Sequence, residues 1–320
     1  MTMETAFGRK LELHYFFVDD SHSMDAVVRN ECEKELLALF HECSIILGID
    51  FKVESEAFSE GGLKEVWKFF GTNQVATLLV ILTIILSRYP PTDEAKEIAE
   101  QQLRELQTEE TRLNIKKIRL QLKQLEQENI DVATVEQITQ EVARSSKVIV
   151  RRSNFYEKLT KYKKVKSLSY TQLNYENEPI TEERIVLQDD FPRFVMHSRV
   201  LKPEIIDNAE IEIIAPVLVE GNYKWKGIYE NEPITFSMTD ASFRHQVLSK
   251  EVSFQNGARI ICVLEMHRKL DEAGEIVITG YSVSTVISKH DAMQSIETSQ
   301  GRTYKQAKGF RESQGDIFDD

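Results

Sequence analysis

The chain has 320 residues, a formal net charge of −12 and three cysteines. That length leads us to expect about two domains, with ample chain for a packed core. The acidic balance excludes a general attraction to nucleic acid or anionic lipid, and Cys32, Cys43 and Cys262 show no CxxC or zinc spacing, which points to a reducing, cytoplasmic setting.

The first residues, MTMETAFGRKLEL, lack the apolar core of a signal peptide. Residues 11–18 (LELHYFFV) have strand composition. The polar turn at 19–25 follows, with Ser21 or Ser23 as helix cap. Val28, Leu36, Leu39, Phe40, Cys43, Ile46 and Leu47 recur at helical spacing and predict a helix over 24–47, stopped by Gly48. Residues 51–58 alternate as a half-buried strand, and Gly61–Gly62 open a short helix at LKEVWKFF. The expected unit is β-α-β-α with parallel pairing through a crossover.

Within the turn, Asp19, Asp20 and His22 form the best catalytic candidate in the chain. Clustered carboxylates and an imidazole after a first strand can hold a divalent metal or act as an acid/base pair. Helix capping accounts for the same residue types, and no second acidic cluster completes a metal site. His14 and His41 read as packed or surface histidines, and Gly61–Gly62 lacks the lysine and hydroxyl of a phosphate loop.

Residues 69–87 (FFGTNQVATLLVILTIILS) carry no charge. The strictly apolar part is short for a membrane span, and Asn73 and Gln74 disfavour lipid. Trp67 and Tyr89 flank it as interfacial aromatics would. Burial in protein is the favoured reading, with membrane association the second. Pro90 and Pro91 end this element.

From 92 to 128 the chain is rich in Glu, Gln, Lys, Arg and Leu without Gly or Pro. Leu103, Leu106, Leu113 and Leu120 form one stripe, and Ile115, Ile118, Leu122 and Leu125 another with coiled-coil steps. A turn at 129–131 precedes a returning helix from Val132. This stalk predicts a homo-oligomer.

Residues 144–166 are basic, with Phe155, Tyr156 and Tyr162 interleaved. Arg151, Arg152, Lys163 and Lys164 are the candidates for nucleic-acid or phosphate binding. The competing reading is a basic edge strand and turn that pairs with acidic neighbours.

Beyond residue 165 short alternating runs predict a β-rich head, an antiparallel barrel or sandwich. The heptapeptide YENEPIT occurs twice, at 175–181 and 229–235, and implies two related hairpins. Asn256–Gly257 and Glu272–Gly274 supply further turns. Tyr223, Trp225 and Tyr229 alternate on one strand face as a candidate partner-binding surface, although such stripes are usually core. His197, His245 and His267 stand isolated, with no nucleophile and base at recognisable spacing. Residues 288–320 read as a disordered tail with an acidic end.

The expected architecture is α+β: an α/β unit at 1–90, a helical stalk at 91–145, a β-rich head at 146–287 and the tail at 288–320. The leading functional expectation is a non-enzymatic oligomeric recognition protein, its head binding a protein partner, with no cofactor. A metal-dependent hydrolase using the acidic loop is the first alternative. A nucleic-acid binder using the basic joint is the second.

Overall fold

The computed structural model describes residues 10–56, 63–88, 116, 117, 119, 132–291 and 295–315. The heptad stripes between 91 and 131 and the acidic end lie outside the described residues, apart from helical Lys116, Lys117 and Arg119. The chain divides into two units, Met1–Arg199 with Leu270–Glu275, and Val200–Lys269 with Ile276–Asp320.

In the first unit, β1 (Lys10–Phe17), β2 (Phe51–Glu56), β3 (Leu63–Gly71), β4 (Val165–Leu173) and β5 (Arg184–Leu187) form one sheet in the order β2-β3-β1-β4-β5. Every neighbouring pair is antiparallel. The expected β-α-β start is present, and β1 and β2 do run in the same direction. They are not neighbours, however, because β3 lies between them. Residues 63–71 form this strand instead of the expected helix. Glu65, Trp67 and Phe69 alternate onto the buried face, opposite Leu13 and Leu11 of β1. Aromatic and β-branched residues suit a pleated surface better than a helix.

Helices α1 (Ala26–Leu47), α2 (Gln74–Ser87), α3 (Val132–Ala143) and α4 (Ser146–Lys161) contribute to a single core with the sheet. Asp25, not Ser21 or Ser23, caps α1, accepting from the amides of Val27 and Val28. Gly48 ends the helix in the left-handed region at φ 68°. The uncharged stretch splits between the end of β3 and α2. That helix has 14 residues, about 21 Å at 1.5 Å per residue, and ten of them are buried. No helix among the described residues is long and apolar enough to cross a membrane. Residues 146–161, read as a basic strand and turn, are helical. Val148, Phe155, Tyr156 and Leu159 supply the helix's buried stripe.

The second unit is a barrel of β6 (Glu204–Ala215), β7 (Trp225–Tyr229), β8 (Glu232–Met238), β9 (Arg259–Leu270) and β10 (Ile276–His290), closed by the β9–β10 pairing. It is antiparallel except for β8–β10, which is parallel because α5 (Ala241–Leu248) and β9 intervene in sequence. Ile211, Trp225, Phe236, Ile260, Cys262 and Leu264 fill the interior, and Phe243 of α5 joins them. Asp240 fixes that helix, accepting from the amides of Phe243 and Val286. Gly227 is required inside the wall, since a Cβ there would lie 2.5 Å from the Ile211 side chain.

The strands assigned to the head therefore divide. β4, β5 and the first YENEPIT copy belong to the first unit, and the barrel begins after residue 199. Residues expected to be disordered form the end of β10, β11 (Ser295–Glu297) and α6 (Ser299–Gly315). Helix α6 lacks an apolar stripe. Gly301 lies against the Ile287 backbone, and Tyr304 and Lys308 both reach Asp207 of β6.

Candidate functional site

Asp19 of the acidic loop is engaged both within the loop and from Lys164. Asp19 accepts from the Ser21 amide at 3.2 Å and pairs with Lys164 Nζ at 3.3 Å. Hydrogen bonding from Ser21 keeps its carboxyl below the ordinary range. Asp20 sits at φ 50°, a conformation Asp tolerates in tight turns, and both Asp20 and His22 are exposed. Asp25 is engaged as the cap of α1. The carboxylates thus point to different partners, and among the described residues no group of three or more His, Cys, Asp or Glu could hold a metal.

The basic joint is largely occupied by internal partners. Arg152 is buried and donates to the Ile85 carbonyl, and the Tyr156 hydroxyl donates to the Leu86 carbonyl. Together they satisfy the C-terminal carbonyls of α2, where a cation also complements the helix dipole. Burial lowers the Arg152 guanidinium to about 10. Arg119 does the same for α1, donating to the Ile45 carbonyl at 2.8 Å. Arg151 bonds Glu35, Lys158 bonds Glu31, and Lys164 binds Asp19 and the Ser23 carbonyl over the Phe17 ring. Lys163 is exposed with no ion pair among the described residues.

The aromatic triplet does not form one surface. Trp225 is buried, its ring packed against Phe236, Phe243 and Phe254. Tyr229 is half-buried against the same core, and burial followed by the Glu230 carboxylate pushes its hydroxyl up to about 12. Tyr223 precedes the strand, in the β6–β7 connection, and is 63% exposed. Leu218 and Val219 of the same connection are 64% and 61% exposed. Lys224 donates to Ser237 Oγ at 2.6 Å, and Lys226 projects from the outer face of β7. The connection is thus an exposed apolar and aromatic segment that contains Glu220 and is followed by Lys224 and Lys226.

One constellation was missed. His267 Nε2 lies 2.8 Å from Ser282 Oγ, which donates to Glu265 Oε2 at 3.0 Å. With the single Ser282 proton directed at Glu265, the hydroxyl meets His267 Nε2 as an acceptor. This is the reverse of a nucleophile activated by a histidine base, where the serine donates to the imidazole. Ser282 is also only 3% exposed. The group ties β9 to β10. Its sequence signal is the Glu265/His267 alternation on one strand face, visible once the β9–β10 pairing is known.

The first unit holds one buried carboxyl with unusual proton affinity. Glu65 is 1% exposed, and Arg29 Nε donates to its Oε1 at 2.6 Å. Burial pushes it up to about 7 despite that arginine. The three thiols are buried and unpaired with one another. Burial raises all three, Cys32 and Cys262 to about 12, which leaves them unreactive.

Comparison of the chain with protein-family models, with curated proteins and with solved structures returns no match.

Proposed function

We propose that the protein is a non-enzymatic recognition protein, with the outer β6–β7 side of the barrel as its partner-binding surface. The observation that carries this reading is the exposed group Leu218, Val219 and Tyr223 beside Lys224 and Lys226. Large apolar side chains clustered on a surface mark interaction sites, and tyrosine is enriched among the residues that dominate binding energy. In one class of five-stranded Greek-key barrel, the outer face of the second and third strands and the loops beside it form a binding surface for oligomeric ligands. Here those strands are β7 and β8. Assembly of several chains through the 103–125 stripes belongs to the same reading. It would present several copies of the surface and raise its avidity.

The partner expected here is a protein with an apolar patch bordered by carboxylates. The test compares immobilised wild-type protein with a Leu218→Ser/Tyr223→Ser variant in capture from the native extract. Partners retained by the wild type and lost by the variant, with unchanged far-UV circular dichroism, support the reading. Identical captured sets from both would refute it.

A further inference from the structure

Asn256 and Gly257 form the corner of the turn between α5 and β9, and both are exposed. The Ala258 amide closes the turn, donating to the Gln255 carbonyl at 3.1 Å. Gly257 takes φ +76°, and a Cβ placed on it would meet nothing within 4 Å. Neither the Asn256 side chain nor the Gly257 amide has a hydrogen-bond partner among the described residues. Asn154 and Asn174 are held instead. The Asn154 side chain donates to Glu35 and to the Glu272 carbonyl and accepts from Arg199, and Asn174 accepts from the amides of Glu176 and Glu178. Asn256 is also the only asparagine in the chain that precedes a glycine.

An untethered asparagine side chain beside a free following amide reacts with it. The Gly257 nitrogen attacks the Asn256 side-chain carbonyl carbon. A new N–Cγ bond forms, the Cγ–Nδ2 bond breaks, and the amide proton leaves with Nδ2 as ammonia. The resulting succinimide takes up one water. Opening on the side-chain side gives aspartate, and opening on the main-chain side gives isoaspartate, whose chain path is one atom longer. No oxidant or cofactor enters. Glycine favours the step because it has no side chain to obstruct its own nitrogen and a backbone free to follow the ring closure. Both flanks of the turn are anchored in the barrel. Phe254 packs edge-on to Trp225 at 5.5 Å and to Phe243 at 6.3 Å. Ala258 is fully buried, and its carbonyl accepts from the Ile213 amide at 2.8 Å. A methylene added between two fixed ends must break the 255–258 hydrogen bond or shift Ala258 against β6.

We infer that Asn256 is a self-modification site, converting through a succinimide with Gly257 to aspartate and isoaspartate in the folded protein, and that isoaspartate there loosens the 255–258 turn. Each converted chain gains one negative charge beside the end of β6 without any enzyme. The inference goes beyond the barrel surface proposed above and does not depend on it.

Full-length protein is aged in mildly alkaline buffer beside a synthetic peptide of residues 251–261, which sets the unrestrained rate. Peptide mapping by mass spectrometry follows the one-unit mass gain at position 256, and an isoaspartyl methyltransferase labels the isoaspartate product. Conversion of the folded protein within an order of magnitude of the peptide rate supports the site. Slower conversion than that would show that the fold protects Asn256, and overturns it. Asn256→Asp supplies the charge without the added chain atom. Protein aged to mostly isoaspartate should unfold at a lower urea concentration than this variant, and equal midpoints would overturn the loosening of the turn.

Discussion

Glu65 shows how a single side chain links burial to pH. Its carboxyl titrates near 4.5 when exposed and at about 7 in the fold. Below both values it is protonated folded and unfolded alike, so it imposes no penalty. As pH rises from about 4.5 through 7, the unfolded chain releases the proton first, and folding stability falls. Replacing it with Gln removes that dependence. The stability of Glu65→Gln relative to wild type should therefore improve by roughly 3 kcal/mol between pH 4.5 and 8, as read from urea unfolding at each pH. A constant offset across that range would show that Glu65 does not titrate in it. Nothing in the local sequence LKEVWKFF announces this residue, because a glutamate between lysine and valine reads as a solvated charge. Its burial follows only from β3 being a central strand.

At the scale of elements, the repeated heptapeptide is the clearest lesson. In the second copy, Glu230 and Asn231 both have positive φ, 50° and 66°, and Tyr229 pairs with Glu232 across a two-residue turn. In the first copy only Asn177 has positive φ, at 65°. The Asn174 amide donates to the Glu178 carbonyl, closing a three-residue loop. The preceding residue decides between them. Asn174 accepts from the amides of Glu176 and Glu178 at 2.9 Å each, whereas the second copy has Ile228 in that place. Identical residues thus give related but different hairpins, in different units. Asn174→Ala should cost about 1 kcal/mol by removing the local acceptor. Glu230→Asn with Asn231→Gly should stabilise by about 1 kcal/mol, since both central positions of such a turn favour those residues. Thermal unfolding measures both; a loss in the second case would mean that Glu230 makes a contact worth more than its backbone strain.

Elements with strong periodicity were legible. Helix α1 and its glycine stop follow from apolar spacing, and the protein-buried reading of α2 follows from its shortness and its polar start. Pairing was not legible. The alternation of β3 was hidden behind a glycine pair that suggested a helix start, and α4 was hidden by its density of basic residues. Of the candidate site residues, Tyr223 stands on the proposed surface, while Trp225 lies in the core because inward and outward positions cannot be assigned before the barrel closes. The acidic loop and the basic joint were recognised as clusters, yet their members are drawn apart by helix ends and ion pairs that only the tertiary fold supplies.

For the whole molecule, the division into two units has a consequence for synthesis. The first unit does not end at Arg199, because Leu270–Glu275 belongs to it. On the ribosome its sheet and helices α1 to α4 emerge before the strand that delivers those six residues has been made. Until then Ser146, Lys147 and Asn154 lack the turn residues Gly274, Glu275 and Glu272 that they bind. A chain truncated after residue 199 should therefore unfold at lower denaturant concentration than the same unit in the full protein, and adding the missing turn as a cyclic peptide should recover part of the loss. Domains generally fold in order of emergence. Here the earliest part of the chain completes its surface only after most of the message has been read, so a premature stop leaves a recognisable open face on an otherwise folded product.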